Sequence, residues 1–256
     1  MRLILFQIGN FKVYSYGFMI AIGIVLASTL FIKRAKREGY DEDKLLNLII
    51  ITVISGALGG KLLFIITEYK AILNNPEILL NFGNGFVIYG AIMLGAFGLY
   101  LYSKRCGFNT LQLADLAVPS LALAQGFGRI GCFLAGCCYG RETSLPIGVV
   151  FPVDSLAESG VPLIPTQLFS SIFDFALAVF LLWYSGKKRK EGRVLASYII
   201  IYSIGRFFVE FLRNDPRGNV WILSTSQFIA IFTLIFGIVI YNLDKTKRRD
   251  KQNEEK

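Results

Sequence analysis

Apolar positions along this chain collect into seven blocks, at roughly 15–32, 45–66, 86–103, 112–136, 168–184, 194–212 and 221–241, with polar and charged residues between them. Each block is near the ~20 residues a helix needs to cross ~30 Å of hydrocarbon. With no water in that layer, each must satisfy its own backbone, and a helix does so. The pattern predicts an all-α polytopic membrane protein of about seven transmembrane helices. The fourth block is the least apolar, holding Arg129 and many glycines. A hydrophobic content of 54% agrees with a membrane chain. The first block runs straight into Lys33-Arg34-Ala35-Lys36-Arg37, the order expected of a retained signal-anchor helix rather than a cleaved signal peptide. No low-complexity linker divides the chain. A single integral domain over 1–243 is expected, with a loop at about 138–166 and a charged, frayed tail at 244–256.

Charge sets the orientation. Net charge is +9, yet the cations cluster in short runs that flank apolar blocks, which argues for membrane position and against nucleic acid. The rich loops hold Lys33, Arg34, Lys36, Arg37 and Lys44; then Lys104 and Arg105; then Lys187, Lys188, Arg189, Lys190 and Arg193. The tail adds Lys245, Lys247, Arg248, Arg249, Lys251 and Lys256. The alternate loops are poor, with Lys70, then Arg141, then Arg213 and Arg217. Positive loops stay in the cytoplasm, so the N-terminus is expected outside and the C-terminus inside. Small residues recur at helix-packing spacing at Gly56 and Gly60, at Ala91 and Gly95, and along Gly128, Cys132, Gly136 and Gly140.

Ionisable residues inside spans are costly, about 2.5 to 3.5 kcal/mol each on the lenient insertion scale. Lys61, Asp115, Arg129, Arg206 and Glu210 fall there. In the expected topology all but Asp115 lie in outer halves, where Tyr16 and Tyr89 also fall. Arg206 and Glu210 are four apart and share a helix face, and Arg213 continues that face. A plain ion pair accounts for those two alone. Arg129 and Lys61 leave positive charge in excess, which calls for an anion such as a phospholipid phosphate. Guanidinium suits phosphate through planar bidentate contacts.

The chain has no histidine, which removes the commonest general base and most zinc sites. Cys132, Cys137 and Cys138 form C-x4-C-C at the end of the fourth block. They read first as small packing residues, with an outward disulfide or a thiol relay as alternatives. Cys106 is expected on the opposite side, so four thiolates from one chain are not expected to meet.

The segment Gly128-Arg129-Ile130-Gly131-Cys132-Phe133-Leu134-Ala135-Gly136-Cys137-Cys138-Tyr139-Gly140-Arg141 resembles the signature of bacterial prolipoprotein diacylglyceryl transferases. Tyr14-Ser15-Tyr16-Gly17, Leu58-Gly59-Gly60-Lys61, Tyr89-Gly90-Ala91, Ala114 to Pro119, Pro165-Thr166-Gln167-Leu168 and Tyr202 to Arg213 resemble further family segments in the same order. Tyr89 stands where many members have His, Lys61 where they have Arg, Cys132 where they have Asn, and Cys137 where an acid is common.

The resemblance implies seven spans in a bacterial cytoplasmic membrane. It also implies transfer of diacylglyceryl from phosphatidylglycerol to the lipobox cysteine of a prolipoprotein signal peptide, with release of glycerol phosphate. It makes Arg129 and Arg206 essential, and Tyr16, Glu210, Gly140 and Tyr202 important. The expected roles are phosphate binding by Arg129 and Arg206 with Lys61 and Arg213 adding positive potential, Tyr89 assisting thiol deprotonation, and Glu210 orienting Arg206. No metal or other cofactor is implied. The alternatives are a transporter or flippase of an anionic lipid or solute, and a paralogous transferase with another acceptor.

Overall fold

The computed structural model describes residues 2–9, 11–79, 85–187, 189–215 and 219–254. Of the loop cations, Lys188, Arg217 and Lys256 lie outside the described residues. Eight helices occur among the described residues: α1 (Ser15–Arg37), α2 (Glu42–Thr67), the short α3 (Tyr69–Asn74), α4 (Ile88–Arg105), α5 (Thr110–Ala135), α6 (Thr166–Ser185), α7 (Arg193–Glu210) and α8 (Thr225–Glu254). The seven long ones coincide with the seven apolar blocks, with ends shifted by a few residues except in α8, which runs on through the charged tail to Glu254. Five of them (α1, α2, α5, α6 and the Thr225–Asn242 part of α8) are long and apolar enough to cross a membrane. In α4 the final Lys104 and Arg105 dilute the apolar run, and in α7 Arg193, Arg206 and Glu210 do so. Apolar side chains stay exposed along these helices, such as Leu58 at 64%, Ile92 at 59% and Val179 at 67%. A water-soluble fold would bury them, whereas lipid would solvate them.

The chain forms two compact units, Ile32–Leu113 and the remainder (Met1–Phe31 with Ala114–Lys256). In the first unit α2 crosses α4 through glycine. A Cβ on Gly59 would lie 2.3 Å from the Gly90 carbonyl oxygen, and one on Gly90 would lie 2.3 Å from that of Gly59. Only residues without a Cβ allow so close an approach. Gly56 sits against Ala91 and Gly95, and Gly60 against Ala91. Asp41 caps α2 by accepting from the Lys44 amide at 2.9 Å.

In the second unit α5, α6 and α7 share an apolar core of Val118, Ala122, Leu177, Ala178, Leu181, Val194 and Tyr198. Asp115 accepts the amides of Gly192 and Leu195, both at 2.7 Å, and so caps α7 from a neighbouring helix. A short hairpin, β1 (Ile4–Ile8) with β2 (Phe11–Tyr14), precedes α1. The segment between α5 and α6 has its own small core of Phe151, Ala157 and Leu163, where β3 (Val149–Val150) pairs with β4 (Pro162–Leu163).

The structure corrects two expectations. The series Gly128, Cys132, Gly136 and Gly140 is not one packing face: α5 ends at Ala135, so the last two lie beyond it, and a Cβ on Gly128 would meet nothing within 4 Å. Arg213 lies beyond the helix that carries Arg206 and Glu210. Helix α7 stops at Glu210, and the amides of Phe211, Leu212 and Arg213 turn back to the carbonyls three residues earlier.

Candidate active site

Arg129 from α5 and Arg206 from α7 line one narrow cleft, together with Ser170, Phe173, Asp174, Tyr202, Gly205 and Val209. Arg206 is held on two sides. Its guanidinium lies 3.3 Å from the Glu210 carboxylate and donates to the Ser226 hydroxyl at 3.1 Å. The side chain of Glu210 is 4% exposed and that of Arg206 18%, so this pair is sheltered from solvent screening.

The residue that sequence reasoning passed over is Asp174, 2% exposed in the middle of α6 and lining the same cleft. Both arginines act electrostatically on it. The rule that selected Arg129 also selects an aspartate within an apolar block, so the signal was present. Its presence changes the charge balance. Two arginines face two carboxylates here, so Arg129 is not an unbalanced cation within this cleft.

Glycines aim Asp174. A Cβ on Gly205 of α7 would lie 2.3 Å from the Phe173 ring, and one on Gly126 of α5 would lie 2.6 Å from the Phe175 ring. Successive helical residues are about 100° apart. Rings seated on α7 and on α5 therefore fix the rotation of α6 and turn Asp174 between them. Ser171 adds a hydrogen bond to the Gly126 carbonyl at 2.9 Å. Tyr202 is stacked on Tyr198, whose hydroxyl donates to Gln125 at 2.9 Å.

The other predicted residues divide by place. Tyr16 of α1 lies against α5, where a Cβ on Gly131 would come within 3.2 Å of its ring. Gly140 is where three backbone segments meet. Its amide donates to the Ile164 carbonyl at 2.9 Å, it bridges Arg213, and a Cβ there would lie 2.7 Å from the Ile164 oxygen and 2.8 Å from that of Leu212. Arg213 makes a bidentate pair with Asp215 at 2.9 and 3.1 Å. Lys61 and Tyr89 belong to the other unit, where the Lys61 ammonium sits over the rings of Phe64 and Phe86 at 5.4 and 5.5 Å.

The three cysteines converge. Helix α5 closes with Gly136 at φ 76°; its amide reaches the Phe133 carbonyl at 3.3 Å, and the Cys137 amide reaches that of Cys132 at 3.1 Å. That double bond pattern is a Schellman cap. It folds the chain back so that the sulfurs of Cys132, Cys137 and Cys138 all lie within 4.8 Å of one another.

Two arginines from different helices lining one cleft, one of them ion-paired to Glu210 and both acting on Asp174, form the kind of site that suits an anionic group in a helical membrane protein. Residues 3–243 match the family model described as prolipoprotein diacylglyceryl transferase. Phosphatidylglycerol–prolipoprotein diacylglyceryl transferase 2 of Clostridium perfringens is 62% identical over 255 residues, covering 99% of this chain and 100% of that protein. The transferase of Clostridium tetani is 58% identical, covering 97% of this chain and 100% of its own length. That of Clostridioides difficile is 34% identical, with 98% of both chains covered. The chain belongs to the prolipoprotein diacylglyceryl transferase family.

Proposed function

We propose that the protein transfers the diacylglyceryl group of phosphatidylglycerol to a cysteine thiol of a prolipoprotein, releasing glycerol phosphate. The carrying observation is the cleft that Arg129, Arg206 and Asp174 line together, within a chain of this family. Phosphatidylglycerol enters from the lipid phase, and its phosphate takes the two guanidinia. As the bond from glyceryl carbon to phosphate oxygen breaks, negative charge builds on the departing glycerol phosphate. Preorganised cations stabilise that charge. Glu210 orients Arg206, and Asp174 offsets the charge of both cations before the lipid arrives. The acceptor sulfur reacts as a thiolate. Tyr16, Tyr202, Gly140 and Arg213 frame the site. Lys61 and Tyr89 are proposed participants on their sequence positions alone.

The acceptor is the lipobox cysteine of a signal peptide. The membrane is the bacterial cytoplasmic one, crossed seven times with the N-terminus outside and the segment 138–166 on the outer face. Alternation of rich and poor loop charge supports that topology.

The test uses membranes carrying the protein, phosphatidylglycerol and a lipobox peptide. One glycerol phosphate appears per thioether formed, and Arg206→Ala lowers both by roughly a hundredfold or more. Lipid movement without bond breakage would favour a flippase and overturn the proposal, as would undiminished transfer by that variant.

A further inference from the structure

The three convergent thiols are not used by the mechanism above, and in a chain that has no histidine that mechanism offers only Tyr89 for the proton of the acceptor thiol. We infer that Cys132, Cys137 and Cys138 bind a zinc ion whose fourth position takes the acceptor thiol as thiolate. The inference deepens the transferase reading and rests on it.

The geometry suits a soft cation. Zinc–sulfur bonds of about 2.3 Å place tetrahedral sulfurs about 3.8 Å apart. The three sulfurs already lie within 4.8 Å, so rotation about χ1 closes the remainder. Their backbones are fixed independently of any ion. Gly136 must adopt φ 76°, and a Cβ there would lie 2.7 Å from Ser155. Cys138 is held at φ 63°, a conformation non-glycine residues rarely adopt. The Thr166 hydroxyl donates to the Cys138 carbonyl at 2.7 Å, and the Gln167 amide to the Cys137 carbonyl at 2.8 Å. Strain held in this way is common at ligand sites.

Charge and position agree. Zinc with three thiolates carries one net negative charge, and Arg129 and Arg213 both act electrostatically on Cys138. Cys132 lies one helical turn from Arg129, so a thiolate on the metal would sit beside a phosphate ligand. Three protein ligands and one open position is the arrangement of a catalytic zinc, whereas a structural zinc takes four.

The step balances. The acceptor S–H binds zinc and gives its proton to solvent, since a coordinated thiol is deprotonated. A sulfur lone pair then forms the bond to the glyceryl carbon. The bond from that carbon to the phosphate oxygen breaks, and its electron pair leaves with glycerol phosphate. The product thioether is a weak zinc ligand and departs.

The experiment loads the full-length protein in detergent with zinc, and separately with cobalt as a spectroscopic stand-in. About one zinc per chain is expected. The cobalt form should show an intense sulfur-to-metal charge-transfer band that is lost in Cys137→Ser and Cys138→Ser and kept in Cys106→Ser. A lipobox peptide should perturb the visible cobalt bands, and the same peptide with Ser for Cys should not. Removing metal with a chelator should lower transfer at least about tenfold, restored by zinc. A wild-type protein with no bound metal and no cobalt–sulfur band overturns the inference. So does a disulfide among the three sulfurs, or full transfer by the chelated protein. Transfer by metal-free wild type would sink the zinc and leave the transferase reading standing. A loaded site without transfer would do the reverse.

Discussion

Helices α2 and α4 in one unit, and α5, α6 and α7 in the other, both meet through glycine, to different ends. Gly59 and Gly90 bring two backbones together, each carbonyl within 2.3 Å of where the other's Cβ would stand. Gly126 and Gly205 instead receive the rings of Phe175 and Phe173, with Asp174 between those rings in sequence. The first arrangement is adhesion, which lipid-solvated helices achieve by close approach because no hydrophobic driving force separates them from their solvent. The second is aiming: a ring locked into a notch fixes the rotation of a helix, and rotation decides where a buried carboxylate points. A methyl group added at either place should therefore damage stability in both units, and catalysis more in the second.

The largest effect belongs to the aimed groups. Arg206→Lys keeps the charge but removes the planar fork that meets Glu210 and Ser226. We expect kcat to fall by roughly a hundredfold, with little change in the thermal unfolding midpoint. A lysine variant with wild-type kcat would mean that potential alone suffices. Next comes Gly205→Ala, whose methyl meets the Phe173 ring at 2.3 Å. It should cost about 1–3 kcal/mol in stability, measured by unfolding in mixed micelles, and also lower kcat. Adding Phe173→Leu should recover much of both. Recovery of stability without recovery of kcat would break the claim that the ring aims Asp174. Gly59→Ala should cost a similar 1–3 kcal/mol, because the obstacle is a backbone carbonyl that cannot rotate away. Transfer per folded molecule should fall less than in Gly205→Ala, and an unchanged kcat would count against the proposed parts of Lys61 and Tyr89, which stand beside this crossing.

These expectations mark how far the sequence carries. The long helices were legible within a few residues, because hydrocarbon enforces one solution for an apolar run. Arg129 and Arg206 were legible because a cation in such a run stands out. That Gly56 with Gly60 and Ala91 with Gly95 form packing faces was legible as spacing, although which face meets which was not, and the tightest crossing is one residue away, at Gly59 and Gly90. The end of the helix before Arg213 was hidden, because helical periodicity says nothing about where a helix stops; past Glu210 the chain turns and Arg213 pairs with Asp215. The meeting of the cysteines was equally hidden. C-x4-C-C on a continuous helix spreads its sulfurs around the axis, and only the reversal at Gly136 gathers them. Asp174 needed no structure to be noticed, but its two arginine partners come from helices far away in sequence.

Asp115 supplies the smallest effect and the sharpest contrast with Asp174, since both are acids within apolar helices of one unit. Asp115 accepts two amides at the start of α7, at 2.7 Å each, and lines no part of the arginine cleft. Its work is that of an N-cap supplied from a neighbouring helix, opposite the positive end of the α7 dipole. Asp115→Ala should lower stability by about 1–2 kcal/mol, and Asp115→Asn by less, because an amide oxygen still accepts. Helix α7 also carries Arg206 and Glu210 at its far end, so its start is about two and a half turns from Tyr202 and about three and a half from Arg206. Fraying decays within a turn or two, so kcat and KM per folded molecule should match the wild type in both variants. A drop in kcat at Asp115→Asn with stability intact would mean that the start of α7 sets the position of Arg206, and that α7 moves as a rigid rod between its two acids.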